Sequence, residues 1–176
     1  MHRLFVAIRP PENIRDRLID AMDDTADFRW QSDEQLPLTL RFIGEVDRPL
    51  ADELALALST LRSEAFELRL SGLGSFDHRG GGAIWAGVEP REPVRALAAR
   101  IERLCQSVGL PPERRAFTPH ITIARWSGPR SREARAFLAG RTIASPPFAV
   151  TAFTLYESRL SRHGAHYEAV ARYPLG

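Results

Sequence analysis

The sequence predicts an α+β fold, in which short strands alternate with amphipathic helices along the whole chain. Three observations lead to this prediction: apolar runs of strand length, apolar stripes at helical spacing, and one apolar motif that occurs twice. The chain has 176 residues, of which 44% are hydrophobic and 26% charged, as is typical of ordinary folded domains. We therefore expect residues 1–176 to form a single domain of two lobes that share one core.

The first half of the chain contains two predicted strand–helix units and then two further strands. Ile14 and Leu18 define the apolar stripe of the first helix, and Leu54 and Leu58 lie in the stripe of the second. In order, the predicted elements are a strand at 3–8, a helix with Pro11 in its first turn, a strand at 37–46, a helix capped by Asp47, and strands at about 66–74 and 83–88 around a glycine turn at 80–82.

The second half has the same alternation of helices and strands. The predicted elements are a helix from near Pro93 to Gly109, a strand at 119–126, a short helix at 131–139, and strands at 147–157 and 166–173 around a turn at Gly164. The single cysteine, Cys105, excludes an intramolecular disulfide and a cysteine-based zinc site. It lies on the apolar stripe of its helix, so we expect a core residue and not a nucleophile.

The basic residues are unevenly distributed. All 24 are arginine, a bias that codon usage in a GC-rich genome explains, and the net charge is only +2. Residues 1–88 carry 10 arginines and 15 acidic residues, whereas residues 89–176 carry 14 arginines and 7 acidic residues. A basic half suits a phosphate-bearing ligand, although arginines scattered over the surface would give the same count.

No segment approaches the ~20 apolar residues that a membrane-spanning helix needs. The apolar run at the N-terminus has only five residues and is followed by Pro10 and Pro11, which excludes a secretory signal. We expect a cytoplasmic protein with no membrane partner. Because no predicted helix has a long exposed apolar face, we also expect a monomer.

The repeated motif has a histidine in only one of its two copies. Residues 36–41 are Leu-Pro-Leu-Thr-Leu-Arg, and residues 119–124 are Pro-His-Ile-Thr-Ile-Ala. Aligning Thr39 with Thr122 places Pro37 opposite His120. Strand alternation puts His120 and Thr122 on one face, with the isoleucines between them in the core. In the first copy, it puts Leu38, Leu40 and Phe42 on one face and Pro37, Thr39 and Arg41 on the other. The repeat predicts two pseudo-equivalent halves that face a common cleft.

These motifs resemble the paired His-x-Thr/Ser-x motifs of the 2H phosphoesterases, and in particular the RNA 2',3'-cyclic phosphodiesterases of the 2'-5' RNA ligase family. Blocks in the same order extend the resemblance over nearly the whole chain. They are residues 3–8, 38–46, 84–88, 117–125 and 155–160, followed by Gly164 and Tyr167. The resemblance implies a bilobal fold with two antiparallel sheets that face a central basic cleft, helices on the outside, and no metal or other cofactor.

The resemblance also implies a reaction, namely hydrolysis of an RNA-terminal 2',3'-cyclic phosphate to a 2'-phosphate, with 2'-5' ligation as the reverse. Water opens the ring when one group accepts its proton and another protonates the departing sugar oxygen. Two imidazoles can do this near neutral pH, because an unperturbed histidine has a pKa of about 6.5. The expected partner is an RNA end or a nucleotide with a cyclic phosphate.

Four residues match functional positions of the family. His120 matches the general base, Thr39 and Thr122 match the hydroxyls that contact the phosphate, and Arg125 matches a basic residue that contacts it. Strict alternation would point Arg125 away from His120, so a bulge or strand end is needed to bring it to the cleft. The threonines are also ordinary strand formers. The general acid is missing, because Pro37 occupies its position.

Loss of one acid–base group typically costs about 10²–10⁴ in rate. Two interpretations follow. The protein is an enzyme whose acid comes from elsewhere, with His78 and His163 in loops as candidates, or it is a catalytically degenerate domain that binds a phosphorylated RNA end or nucleotide. Phosphoesterase chemistry on another cyclic phosphate is a third interpretation. The three tryptophans are expected in packing roles, although one exposed ring could stack on a base.

Overall fold

The computed structural model describes all residues from Met1 to Gly176 and confirms the α+β class. It contains nine strands, four α-helices and one short 3-10 turn. These are β1 (His2–Ile8), α1 (Glu12–Asp20), β2 (Arg29–Trp30), the 3-10 turn (Asp33–Gln35), β3 (Leu38–Val46), α2 (Arg48–Leu58), β4 (Phe66–His78), β5 (Gly81–Glu89), α3 (Arg91–Ser107), β6 (His120–Ser127), α4 (Ser131–Leu138), β7 (Phe148–Val150), β8 (Ala152–Ser161) and β9 (Gly164–Pro174).

All strands pair antiparallel, in the order β7-β4-β5-β6-β3-β1-β8-β9, with β2 on β6. A single residue pair, Leu38 with Ile121, joins β3 to β6. The two expected antiparallel sheets are thus two halves of one sheet that meet at this pair. Leu38 lies between Pro37 and Thr39, and Ile121 lies in the second copy of the motif. The two motif copies therefore meet where the halves join, and the space between the halves on the side of Thr39 is called the cleft below.

The apolar stripes predicted from the sequence form the core. Ile14 and Leu18 of α1 and Leu54 and Leu58 of α2 are fully buried, and the Asp47 carboxylate caps α2 by accepting from the Leu50 amide at 3.0 Å. Cys105 is fully buried in α3, and burial raises the pKa of its thiol to about 11. A thiol in this state packs as an apolar residue and is not a nucleophile.

Two local predictions were incomplete. The strand predicted at 147–157 is two strands. β7 pairs with β4, in the half of the sheet that contains β6, whereas β8 pairs with β1, in the half that contains β3. The chain passes from one half of the sheet to the other at Thr151, and the periodicity of the apolar residues cannot reveal this crossing. The short strand β2 and the 3-10 turn were missed, because neither has an apolar pattern of its own.

The predicted faces of β3 hold as far as Leu40 and are wrong from Arg41 onward. Val6 pairs with Arg41 and Ala7 pairs with Thr39, so Leu40 is an extra residue that bulges out of the pairing. The bulge shifts the alternation by one residue. Arg41 therefore turns to the core side and is 8% exposed, whereas Phe42 is 53% exposed.

The buried Arg41 joins β3 to α3 and to the loop that follows α3. Its Nε donates to Oε1 of Glu102 in α3 at 2.6 Å, and Nη2 donates to the Pro111 carbonyl at 2.6 Å. The other Glu102 oxygen accepts from the Glu113 amide at 2.8 Å. The pair thereby fixes the start of the loop that leads from α3 into β6.

Replacing Arg41 with methionine is expected to lower the free energy of unfolding by about 2–4 kcal/mol. The change leaves a half-buried carboxylate without its ion partner and a carbonyl without its donor. The matched control is Arg48→Met, because Arg48 pairs with Asp52 on the surface, where both side chains are more than two thirds exposed. That control should change stability by about 0.5 kcal/mol or less. Denaturant unfolding measures both values. Equal losses would contradict the larger contribution to stability that is expected of the buried pair.

Candidate active site

His120 is the first residue of β6, and its ring has a defined tautomer. Nδ1 lies 2.7 Å from the carbonyl oxygen of Thr118. A carbonyl only accepts, so Nδ1 carries the proton and Nε2 is the unprotonated nitrogen of the neutral ring. Nε2 has no hydrogen-bond partner within the chain. The imidazole is thus set up to accept a proton at Nε2.

Two aromatic rings form a wall around His120. Phe76 meets the imidazole edge to face with ring centroids 4.9 Å apart, and Trp85 lies at 6.2 Å. The Trp85 indole fits because residue 74 is glycine, since a Cβ there would lie 2.3 Å from the indole. Sequence reasoning missed Phe76, because nothing in its local pattern points to a contact with a residue 44 positions away.

The surroundings of His120 favour its neutral form. Burial lowers the pKa of the imidazole, the hydrogen bond to Thr118 raises it, and the positive charge of Arg125 lowers it, with a net lowering. A base with a lowered pKa is unprotonated over more of the neutral range.

Thr122 and Arg125 lie on the same face of β6 as His120. The register between β5 and β6 shifts by one residue at Ile123, and this bulge reverses the alternation after Thr122. Arg125 is therefore exposed on the side of His120, instead of pointing into the core as strict alternation would require. The structure thus brings together His120, Thr122 and Arg125 along one edge of the cleft.

Thr39 and Pro37 belong to the other half of the sheet, across the Leu38–Ile121 pair from His120. Thr39 pairs with Ala7 of β1 and points away from the buried Leu38 and Leu40. Neither the Thr39 nor the Thr122 hydroxyl is hydrogen-bonded within the chain, so both are available to a ligand. Pro37, which directly precedes β3, has no titratable group.

Two of the other four histidines bond carboxylates, and two lie next to hairpin turns. His2 bonds the Glu157 carboxylate at 2.8 Å, and His166 bonds the Glu34 carboxylate at 2.6 Å. His78 and His163 are exposed next to the β4–β5 and β8–β9 turns. No hydrogen bond or aromatic contact joins any of them to His120, whose ring contacts are Phe76 and Trp85.

Replacing Arg125 with glutamine is expected to raise the pKa of His120, because the change removes a positive charge that disfavours the imidazolium. A titration of the His120 ring followed by NMR measures this. The matched control is Arg69→Gln, since Arg69 pairs with Glu89 on the surface at 2.7 Å and should leave the His120 pKa unchanged. An unchanged or lowered pKa in Arg125→Gln would contradict the placement of Arg125.

Two further features bear on the kind of site. The side chains of the chain form no group of three or more histidine, cysteine, aspartate or glutamate residues that could hold a metal ion. No helix has both the length and the apolar character needed to cross a membrane.

Comparison with known proteins identifies the family. Residues 6–162 match the sequence profile of the 2'-5' RNA ligase superfamily. An RNA 2',3'-cyclic phosphodiesterase from Aeropyrum pernix is 33% identical over 88% of this chain and 90% of its own length. An RNA 2',3'-cyclic phosphodiesterase from Thermus thermophilus is also 33% identical, over 98% of this chain and 90% of its own.

A solved structure supports the same assignment. The crystal structure of Escherichia coli LigT in complex with 3'-AMP superposes with a TM-score of 0.82 at 28% identity, over 99% of this chain and 98% of that one. The chain belongs to the 2'-5' RNA ligase superfamily and has the LigT-like α+β fold.

Proposed function

We propose that this protein hydrolyses RNA-terminal 2',3'-cyclic phosphates to 2'-phosphates, at a rate reduced by the absence of the first histidine. The observation that carries the proposal is the state of His120. Its Nδ1 proton is committed to the Thr118 carbonyl, so Nε2 is left as a base on the cleft face. The relatives that match most of the chain are named RNA 2',3'-cyclic phosphodiesterases.

The proposed roles follow from position. His120 Nε2 accepts a proton from water as the water oxygen attacks phosphorus. The hydroxyls of Thr39 and Thr122, one from each half, donate to the phosphate oxygens, and Arg125 balances their charge. The proposed occupant is a nucleotide end, and the structure of Escherichia coli LigT, which has the same fold, contains 3'-AMP. The same groups would serve 2'-5' ligation in reverse.

The proposal takes residues 1–176 as one bilobal unit that acts as a cytoplasmic monomer without a cofactor. Sedimentation tests the oligomeric state. A mass near 19.7 kDa is expected, and a mass near twice that value would contradict the monomer.

A second candidate function is binding without turnover. Pro37 favours it, because a cyclic phosphate held by Thr39, Thr122 and Arg125 would lack a proton donor at the position where the family has a histidine. The protein would then hold a phosphorylated RNA end or nucleotide in the same cleft.

Turnover of a short RNA that ends in a 2',3'-cyclic phosphate tests the proposal. Slow formation of the 2'-phosphate, identified by phosphorus NMR, is expected from the natural chain. Binding of the RNA without any product would favour the second candidate. If neither product nor binding is observed, also with Pro37→His, the substrate class is wrong.

A further inference from the structure

Tyr167 lies on the wall of the cleft opposite His120. It pairs with Ser158 across β8 and β9 and therefore points to the same side as Tyr156. Its ring meets Phe5 edge to face with centroids 4.8 Å apart. Phe5 is two residues from Ala7, the partner of Thr39, and so lies on the same side of β1 as Ala7. Tyr167 therefore lies on the same side of this half of the sheet as Thr39, which is the side of the cleft.

The backbone of Tyr167 is fastened to the segment that ends at Pro37. Its amide donates to the Glu34 carboxylate at 2.9 Å, and the Gln35 side chain donates to the Ala165 carbonyl at 2.8 Å. Glu34 and Gln35 precede Pro37 by three and two residues. The start of β9 is therefore held against the place in the fold where the missing histidine would stand.

The positive charge of Arg125 acts on both Tyr167 and His120. Burial raises the pKa of the Tyr167 phenol, the charge of Arg125 lowers it, Glu34 raises it and Arg3 lowers it, with a net increase. The same Arg125 charge acts on His120. The bulge at Ile123 places Arg125 on the His120 face of β6, and Tyr167 lies on the Thr39 side of the other half. A phosphate between the two halves would therefore have the imidazole on one side and the phenol on the other.

We propose that the Tyr167 hydroxyl takes the place of the missing histidine and protonates the departing sugar oxygen when the cyclic phosphate opens. This inference rests on the proposed function. Water attacks phosphorus while His120 Nε2 accepts one of its protons. The bond from phosphorus to the 3'-oxygen breaks, and that oxygen takes the Tyr167 proton. The products are a 2'-phosphate and a 3'-hydroxyl, and the proton on His120 returns to the phenolate through solvent.

The neighbouring histidine, His166, does not suit this role. His166 follows Ala165 in the same strand, but both of its ring nitrogens face carboxylates. Nδ1 lies 2.6 Å from Glu34, and Nε2 lies 3.9 Å from Glu168. By contrast, the Tyr167 hydroxyl has no hydrogen-bond partner within the chain and stays protonated throughout the neutral pH range.

The test compares Tyr167→Phe with two matched variants in the natural chain. Tyr167→Phe keeps the ring against Phe5 and is expected to lower kcat by about 10²-fold, with KM changed by less than about threefold. Tyr156→Phe removes a hydroxyl from a tyrosine stacked on the same Phe5 at 5.2 Å, and His166→Gln removes the rival acid. Both should stay within about threefold of the natural rate. An unchanged rate in Tyr167→Phe, or a loss in His166→Gln instead, would overturn the proposal.

Two further readouts separate this proposal from the proposed function. The rate of the natural chain should rise with pH through the His120 pKa and stay level towards pH ~10, where tyrosine ionises. In Pro37→His, the added Tyr167→Phe change should cost less than about threefold. If the natural chain is active and Tyr167→Phe does not slow it, the Tyr167 assignment fails and the proposed function stands. If Pro37→His is active while the natural chain is not, both fail, and binding without turnover remains for the natural chain. If Pro37→His is also inactive, the proposed function itself fails.

Discussion

Replacing Pro37 with histidine is expected to raise kcat for a 2',3'-cyclic phosphate RNA by about 10²-fold. Pro37 directly precedes β3 and lies beside Thr39 at the join between the two halves. An imidazole there would stand across the join from His120 and could donate a proton near neutral pH, where a phenol is a weaker acid. A gain of this size is typical of one positioned acid–base group. Steady-state kinetics on the two proteins measure it.

The control for this gain is Pro37→Gln, which removes the proline ring and adds a polar side chain without an acid. It should leave kcat within about threefold of the natural value. The pH profile provides a second control, because Pro37→His should become bell-shaped as a second titrating group enters. An equal gain in Pro37→Gln would mean that the rate rises because the backbone restriction of proline is removed, and not because a proton donor is added.

Replacing His120 with alanine is expected to lower kcat by about 10²–10⁴-fold in both the natural and the Pro37→His backgrounds. The change removes the imidazole whose unprotonated nitrogen faces the cleft, together with its contacts to Thr118, Phe76 and Trp85. The loss should appear in kcat more than in KM, because the proposed phosphate contacts, the two threonines and Arg125, are unchanged.

The matched variant for this loss is His78→Ala, which removes an exposed imidazole at the β4–β5 hairpin. Its rate should match that of its parent. A thermal melt of His120→Ala must show an intact fold for the comparison to hold. Turnover that survives in folded His120→Ala would contradict the role of His120 as the base.

The sequence predicts the framework of this molecule well because its strongest signals are periodic. Ile14, Leu18, Leu54 and Leu58 lie at helical spacing and are all fully buried. The repeated motif also predicts that two halves meet, and they do so at Leu38 and Ile121.

The details that decide the candidate site are bulges, which leave no mark on the apolar pattern. The extra residue at Leu40 turns Arg41 into the core, and the extra residue at Ile123 turns Arg125 towards His120. Contacts over long sequence separations are equally invisible in the sequence. Tyr167 is held by Glu34, 133 positions away, and only the fold reveals that these two residues meet beside Pro37.

We propose that this cleft opens cyclic phosphates with His120 as the base. The most direct measurement is single-turnover hydrolysis of a 2',3'-cyclic phosphate RNA by Pro37→His and by the double variant Pro37→His with His120→Ala. We predict that the first converts the substrate to the 2'-phosphate and that the second is slower by at least about 10²-fold. Equal rates in the two proteins, or a 3'-phosphate as the product, would contradict the claim.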